Sequence, residues 1–141
     1  MGGRGAWIRD NGCTLRTEWH TDNETRRVVF CRYPVTPRLS PFEQTTLAAF
    51  AEVVRRRFGA RLAALELFGS RARGEGRDDS DLDLLVSIRG LSRTERHQVI
   101  DDAADLTLET GLVLSPLVVD ADTFGAELPL AKEIERDGVP L

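Results

Sequence analysis

Two short runs, Leu67-Phe68-Gly69-Ser70-Arg71-Ala72-Arg73-Gly74 and Asp81-Leu82-Asp83-Leu84-Leu85-Val86, decide how the rest of this sequence is read. A strand alternates its side chains between two faces. Over Asp81–Ile88 that period places Leu82, Leu84, Val86 and Ile88 on one face and Asp81, Asp83, Leu85 and Ser87 on the other. Two carboxylates two residues apart on one strand face stand roughly 7 Å apart at Cα, so their side chains can converge on a hard cation. Magnesium takes one or two carboxylates together with substrate phosphates, and paired metal sites stabilise in-line phosphoryl displacement. Acids merely solvated at a strand start are the plainer explanation. A pair opening an otherwise apolar strand is nevertheless an odd choice for a purely structural position.

Upstream, the apolar run Leu62–Phe68 reads as a buried strand, broken only by Glu66, that enters a Gly-Ser turn at a helix start. Such a turn exposes backbone N–H groups and a hydroxyl to an anion. Gly69 lets a phosphate approach the backbone closely, Ser70 offers its hydroxyl, and Arg71 and Arg73 can supply charge-assisted hydrogen bonds. A Gly-Ser turn alone is common, and arginines on loops are usually solvated. The spacing adds weight: Gly69-Ser70, ten residues, then Asp81-Leu82-Asp83. Four fixed residues at set spacing arise by chance in a chain of this length about once in a thousand.

These residues resemble the nucleotidyltransferase superfamily of the DNA polymerase beta type, and more narrowly its minimal nucleotidyltransferases, which carry the Gly-Ser, ten-residue gap, Asp-x-Asp signature. The likeness extends over about residues 41–141 in length and element order. It implies an α/β (α+β) fold, a small mixed sheet flanked by helices, with ATP or another NTP and Mg2+ held between Gly69-Ser70 and the acids Asp81 and Asp83. It further implies transfer of a nucleotide to an acceptor hydroxyl. Many members of the family are antitoxins beside HEPN-domain toxins, and some move AMP onto a tyrosine of the toxin. A contact-only antitoxin that keeps the fold as a scaffold is the competing expectation, because fold does not fix function.

The superfamily usually adds a third carboxylate from a later strand. The candidate strand Leu112–Val119 has no interior acid, which leaves Ser115 or Asp120 for that position. The two have opposite parity, so both face Asp81 and Asp83 only if Pro116 introduces a bulge. Asp120 has a competing role, since it or Asp122 can cap the element that follows.

Around this centre the helix signals are local. Ser40 and Glu43 form a capping box with Pro41 at the first helical position, Leu47, Phe50, Ala51, Val54 and Phe58 recur at helical spacing, and Gly59 stops the run. Ser92 and Glu95 repeat the box for a helix expected to bury Val99, Ile100, Ala103, Ala104 and Leu108 and to stop at Gly111. Pro116 suggests an edge position for the third strand. A short helix near 122–127 and another over Pro129–Arg136, ended by Gly138, complete residues 37–141. Residues 1–36 read as a loosely ordered extension in which Val28–Cys31, with Tyr33 and Val35, suggest a strand paired with Thr14–Trp19.

Composition narrows the function classes. The 141 residues suit one main domain, and 41% hydrophobic with 30% charged residues describes an ordinary globular chain. Net charge is −4, split as +3 over residues 1–40 and −7 over the remainder, which argues against nucleic acid as a main partner. Of 19 basic residues only Lys132 is lysine, so no Walker A loop exists, and Lys132 itself lies in a polar C-terminal helix. Gly74-Glu75-Gly76 lacks the third glycine of a dinucleotide fingerprint. Arg55-Arg56-Arg57 could meet RNA or an acidic partner, but a basic run also suits a helix C-terminus. His20 and His97 have no partner at ligand or triad spacing, and Cys13 and Cys31 form no metal or disulfide framework. The longest uncharged run, Thr110–Val119, is too short to span a membrane, and the first 25 residues have no apolar leader core. A cytoplasmic location is the expectation.

Overall fold

The computed structural model describes residues 37–125 and 128–141, and the backbone of 7–10 and 13–16. The chain divides into two compact units, Met1–Val35 and Thr36–Leu141. In the first, β1 (Trp7–Asp10) and β2 (Cys13–Arg16) pair antiparallel with Asp10 opposite Cys13. The two residues between them are Asn11-Gly12, the dipeptide that two-residue hairpins favour. Of the strand expected over Thr14–Trp19, Thr14, Leu15 and Arg16 pair with Arg9, Ile8 and Trp7. Val28–Cys31, Tyr33 and Val35 lie outside the described residues.

In the second unit, α1 (Pro41–Phe58) starts at the Ser40 cap. The capping box is complete: Glu43 N donates to Ser40 Oγ and Ser40 N donates to a Glu43 carboxylate oxygen. Gly59 ends the helix with positive φ, and a short 3-10 turn over Gly59–Arg61 leads into β3 (Leu62–Phe68). One helical turn, α2 (Gly69–Ala72), and a polar loop connect β3 to β4 (Leu82–Ile88). Then follow α3 (Arg93–Thr110), β5 (Leu114–Asp120), α4 (Pro129–Asp137) and the two-residue β6 (Val139–Pro140). The sheet order is β5-β4-β3-β6, with β4 and β5 parallel and the other pairs antiparallel. It is the small mixed sheet with helices that the family resemblance implies.

The apolar stripe of α1 meets Leu67 of β3 and the Leu82, Leu84, Val86, Ile88 face of β4 in one core, which Val99 and Ala103 of α3 complete. Each large side chain fully withdrawn from water there contributes about 1.5–3 kcal/mol. Helix α3 turns out differently from its sequence reading. Ile100, Ala104 and Leu108 are exposed, Leu108 by 85%, while Leu106 packs against the core. Val99 and Ala103 are buried as expected, and Leu106 rather than Leu108 completes a narrower contact stripe. A helix that touches α1 and edge strand β5 needs only that narrow seam.

Pro116 does sit on an edge strand, and the register from Leu82↔Leu114 to Ile88↔Asp120 runs without a shift, so there is no bulge. The helix expected near 122–127 is absent from its described part: residues 121–123 form a turn, and 126 and 127 lie outside the described residues. That turn is held by Asp122 N donating to Asp120 Oδ1 at 2.9 Å. The arginines at the end of α1 are occupied within the unit, Arg55 on the Leu141 carbonyl, Arg56 on Glu52 and Arg57 on Asp102. No helix among the described residues is long and apolar enough to cross a membrane.

Candidate active site

The antiparallel register of β3 and β4 sets Phe68 opposite Asp83, so the carboxylate emerges beside the turn that follows β3. Gly69 adopts φ +77°, a left-handed conformation that side chains with a Cβ rarely take. A Cβ on Gly69 would also stand 2.6 Å from Asp83 Oδ2, so the carboxylate would have to turn aside to admit it. Gly69 is therefore favoured twice, once by its backbone angle and once by the carboxylate lying against it. Asp83 is half-buried and Asp81 exposed at the mouth of the strand. Burial first, then the nearby charges of Asp81 and Glu133, pushes the Asp83 carboxyl above its ordinary value. Negative charge thus accumulates where a cation would relieve it.

The Ser70 hydroxyl sits at the same turn, 3.1 Å from the point a Cβ on Gly76 would occupy. The start of α2 has no side-chain cap. Gly69, Ser70, Asp81 and Asp83 are therefore brought together. Arg71 is not turned to that purpose, and Arg73 is engaged by acids of its own loop and of α4. Arg71 is 2% exposed, paired with Glu43 and bonded to the Arg77 carbonyl at 3.0 Å, so its guanidinium is committed inside the protein. Arg73 binds Glu75 at 3.0 Å, Glu133 at 3.1 Å and Asp137 at 3.6 Å, tying the loop after α2 to α4. An isolated arginine on a polar loop reads as free. Both found acidic partners that sequence spacing does not display.

The strand register separates Ser115 from Asp120. Ser115 lies directly opposite Asp83 on the parallel neighbour and shares its face. Asp120 lies opposite Ile88, five residues further along, about 16 Å from the Asp83 level, and its carboxylate closes the turn at Asp122. Ser115, not Asp120, is therefore the β5 residue level with Asp83. Glu133, which no sequence signal singled out, is the other acid whose charge reaches Asp83. Among the described residues no group of three or more His, Cys, Asp or Glu is placed to hold a metal ion. Two carboxylates completed by phosphate oxygens are what magnesium commonly takes, and the Asp81–Asp83 pair suits it.

Gly69→Val is expected to abolish ATP binding in the presence of Mg2+, since the branched side chain collides with Asp83 and strains the turn. Ser70→Ala should lose only one hydrogen bond, about 1–3 kcal/mol for a charged acceptor. Isothermal calorimetry on both variants checks the order; normal binding by Gly69→Val would leave the turn a purely structural role.

Residues 47–138 match the family model for the nucleotidyltransferase domain. A provisionally named protein adenylyltransferase of Methanocaldococcus jannaschii is 36% identical over 77 residues, 52% of this chain and 52% of the relative. A second protein of that organism with the same provisional name is 27% identical over 86 residues, covering 61% of this chain and 82% of the relative. The chain thus spans about half the length of the first of these relatives. A solved structure described provisionally as a minimal nucleotidyltransferase superposes with a TM-score of 0.49 at 27% identity, over 70% of this chain and 91% of that one. The family model covers well over half of the sequence and includes the turn, the acidic strand and α4, and the chain belongs to the nucleotidyltransferase domain family.

Proposed function

We propose that this chain is a Mg2+-dependent nucleotidyltransferase of the minimal kind that moves AMP from ATP onto a hydroxyl of a partner protein, with a HEPN-type toxin as that partner. The observation that carries the reading is the Asp83 carboxylate lying against Gly69, with Asp81 beside it and Ser70 in the same turn. Gly69 and Ser70 seat the triphosphate, because only a glycine leaves the backbone open there. Asp81 and Asp83 would hold Mg2+, which when bound would supply charge neutralisation for the phosphates. The acceptor oxygen forms a bond to the α-phosphorus and gives up its proton to solvent water, the bond from that phosphorus to the oxygen bridging to the β-phosphate breaks, and pyrophosphate leaves. The protein's part is positioning and charge neutralisation, as in other phosphoryl transfers. The relatives named as protein adenylyltransferases support AMP and a protein acceptor.

A second reading has its own observation: Ser115, not an acid, stands opposite Asp83. On that reading the chain keeps nucleotide binding and neutralises its partner by contact. Intact-mass measurement separates the two. Incubated with ATP, Mg2+ and the product of an adjacent toxin gene, the wild-type chain should add AMP in discrete increments to the partner, and Asp81→Asn should add none. No increment from the wild type, with the partner still neutralised, would leave contact as the mechanism.

A further inference from the structure

Arg71 is the most deeply buried charged side chain of the described residues, 2% exposed, and the transfer reaction has no direct use for it. Its Nη2 donates to Glu43 Oε1 on α1, while Nη1 donates to the carbonyls of Arg77 at 3.0 Å and Gly76 at 3.5 Å and lies 3.8 Å from Asp78. The Nε has no hydrogen-bond partner. Stability alone does not explain such a residue, because apolar side chains of similar volume commonly serve as well as a buried ion pair. A guanidinium does supply a rigid planar fork that fixes two directions at once.

One direction is the anchor. Glu43 is held by its second oxygen, which accepts from Ser40 N at 2.7 Å in the α1 capping box. The other is the loop between the nucleotide turn and the acidic strand. Glu75 N and Gly76 N both donate to the Ser70 carbonyl, at 3.0 and 3.2 Å, and a Cβ on Gly76 would stand 2.6 Å from Arg71 Cδ. The loop therefore lies directly on the arginine stem. The Arg77 carbonyl that Arg71 holds also accepts from Ser80 N at 3.0 Å, and Arg77 N donates to Ser80 Oγ at 3.0 Å. That turn delivers the chain to Asp81.

We propose that Arg71 is a positioning residue for the nucleotide site: anchored on Glu43, it clamps residues 74–77 over Ser70 and fixes the turn that presents Asp81. The inference rests on the nucleotide reading of the Gly69–Ser70 turn and extends it to a residue that touches no ligand. The paired replacement Arg71→Met with Glu43→Leu removes both charges together, and Arg71→Lys keeps the charge opposite Glu43 without the fork. Both are expected to keep a cooperative thermal transition. Both should lose ATP affinity in Mg2+ by about tenfold, and the amides of residues 75–81 should exchange faster with solvent.

Wild-type ATP affinity in either folded variant overturns the proposal. So does failure of both variants to fold, which would make Arg71 a core residue and nothing more. If the paired replacement alone fails to fold, Arg71→Lys decides. Asp83→Asn runs alongside: if it too binds ATP normally, the nucleotide reading itself fails and the clamp with it. If Asp83→Asn loses ATP while the Arg71 variants keep it, only the clamp fails.

Discussion

Glu43→Ala is expected to destabilise the Thr36–Leu141 unit by about 3–5 kcal/mol, the usual cost of stranding one member of a buried ion pair. Glu43 is 6% exposed and its partner Arg71 2%, so water cannot replace the lost carboxylate. The change also strips the capping box from the start of α1, because Ser40 N loses its acceptor. Against a total of about 5–15 kcal/mol for a small domain, that is a large fraction. The thermal midpoint should fall by more than about 10 °C, and differential scanning calorimetry reads it directly. Glu43→Gln keeps the cap acceptor and should cost less. A loss below about 1 kcal/mol for Glu43→Ala would mean that Arg71 is satisfied by the loop carbonyls and needs no anchor.

Both buried partners are visible in the sequence, but their pairing is not. Ser40 and Glu43 are three residues apart, and a capping box is legible because its geometry is confined to one helical turn. The contact between Glu43 and Arg71 joins residues 28 apart in sequence, one on α1 and one on α2. Local reasoning therefore assigns Glu43 to a cap and Arg71 to a phosphate, and it misses the bond between them. Glu133 escapes for the same reason, as does the strand register that sets Ser115, rather than Asp120, beside Asp83.

What is legible follows short-range periodicity. The alternation over Leu82–Ile88 predicts which side of β4 enters the core, and Leu82, Leu84, Val86 and Ile88 are each at most 1% exposed. In α3 the same reasoning overreaches: Ile100 and Leu108 are apolar and correctly spaced, yet exposed, because the width of an apolar stripe depends on what faces it. In the first unit the sequence offers Thr14–Trp19 as a partner for Val28–Cys31 and does not single out Trp7–Asp10, the strand that Cys13–Arg16 pairs with, because alternation on either side is weak.

Asp83→Asn should move stability and ligand binding in opposite directions. In the protein without metal, burial and the charges of Asp81 and Glu133 hold the Asp83 carboxyl above its ordinary value. A raised acid in the folded state stabilises fully below its unfolded pKa, and that contribution is lost as pH rises through the folded value. Above its folded value the ionised Asp83 is therefore a burden to the metal-free fold, and the neutral asparagine amide relieves it. The variant should melt higher than the wild type near neutrality, and the gap should shrink as pH is lowered to about 3, where the wild-type carboxyl is protonated. Calorimetry with ATP and Mg2+ should show the reverse, with binding abolished, because one of the two carboxylates proposed to hold Mg2+ has lost its charge. An unchanged ATP affinity would remove Asp83 from the site, whereas a lower melting point near neutrality would mean that its carboxylate holds the Gly69 turn together rather than straining against its neighbours.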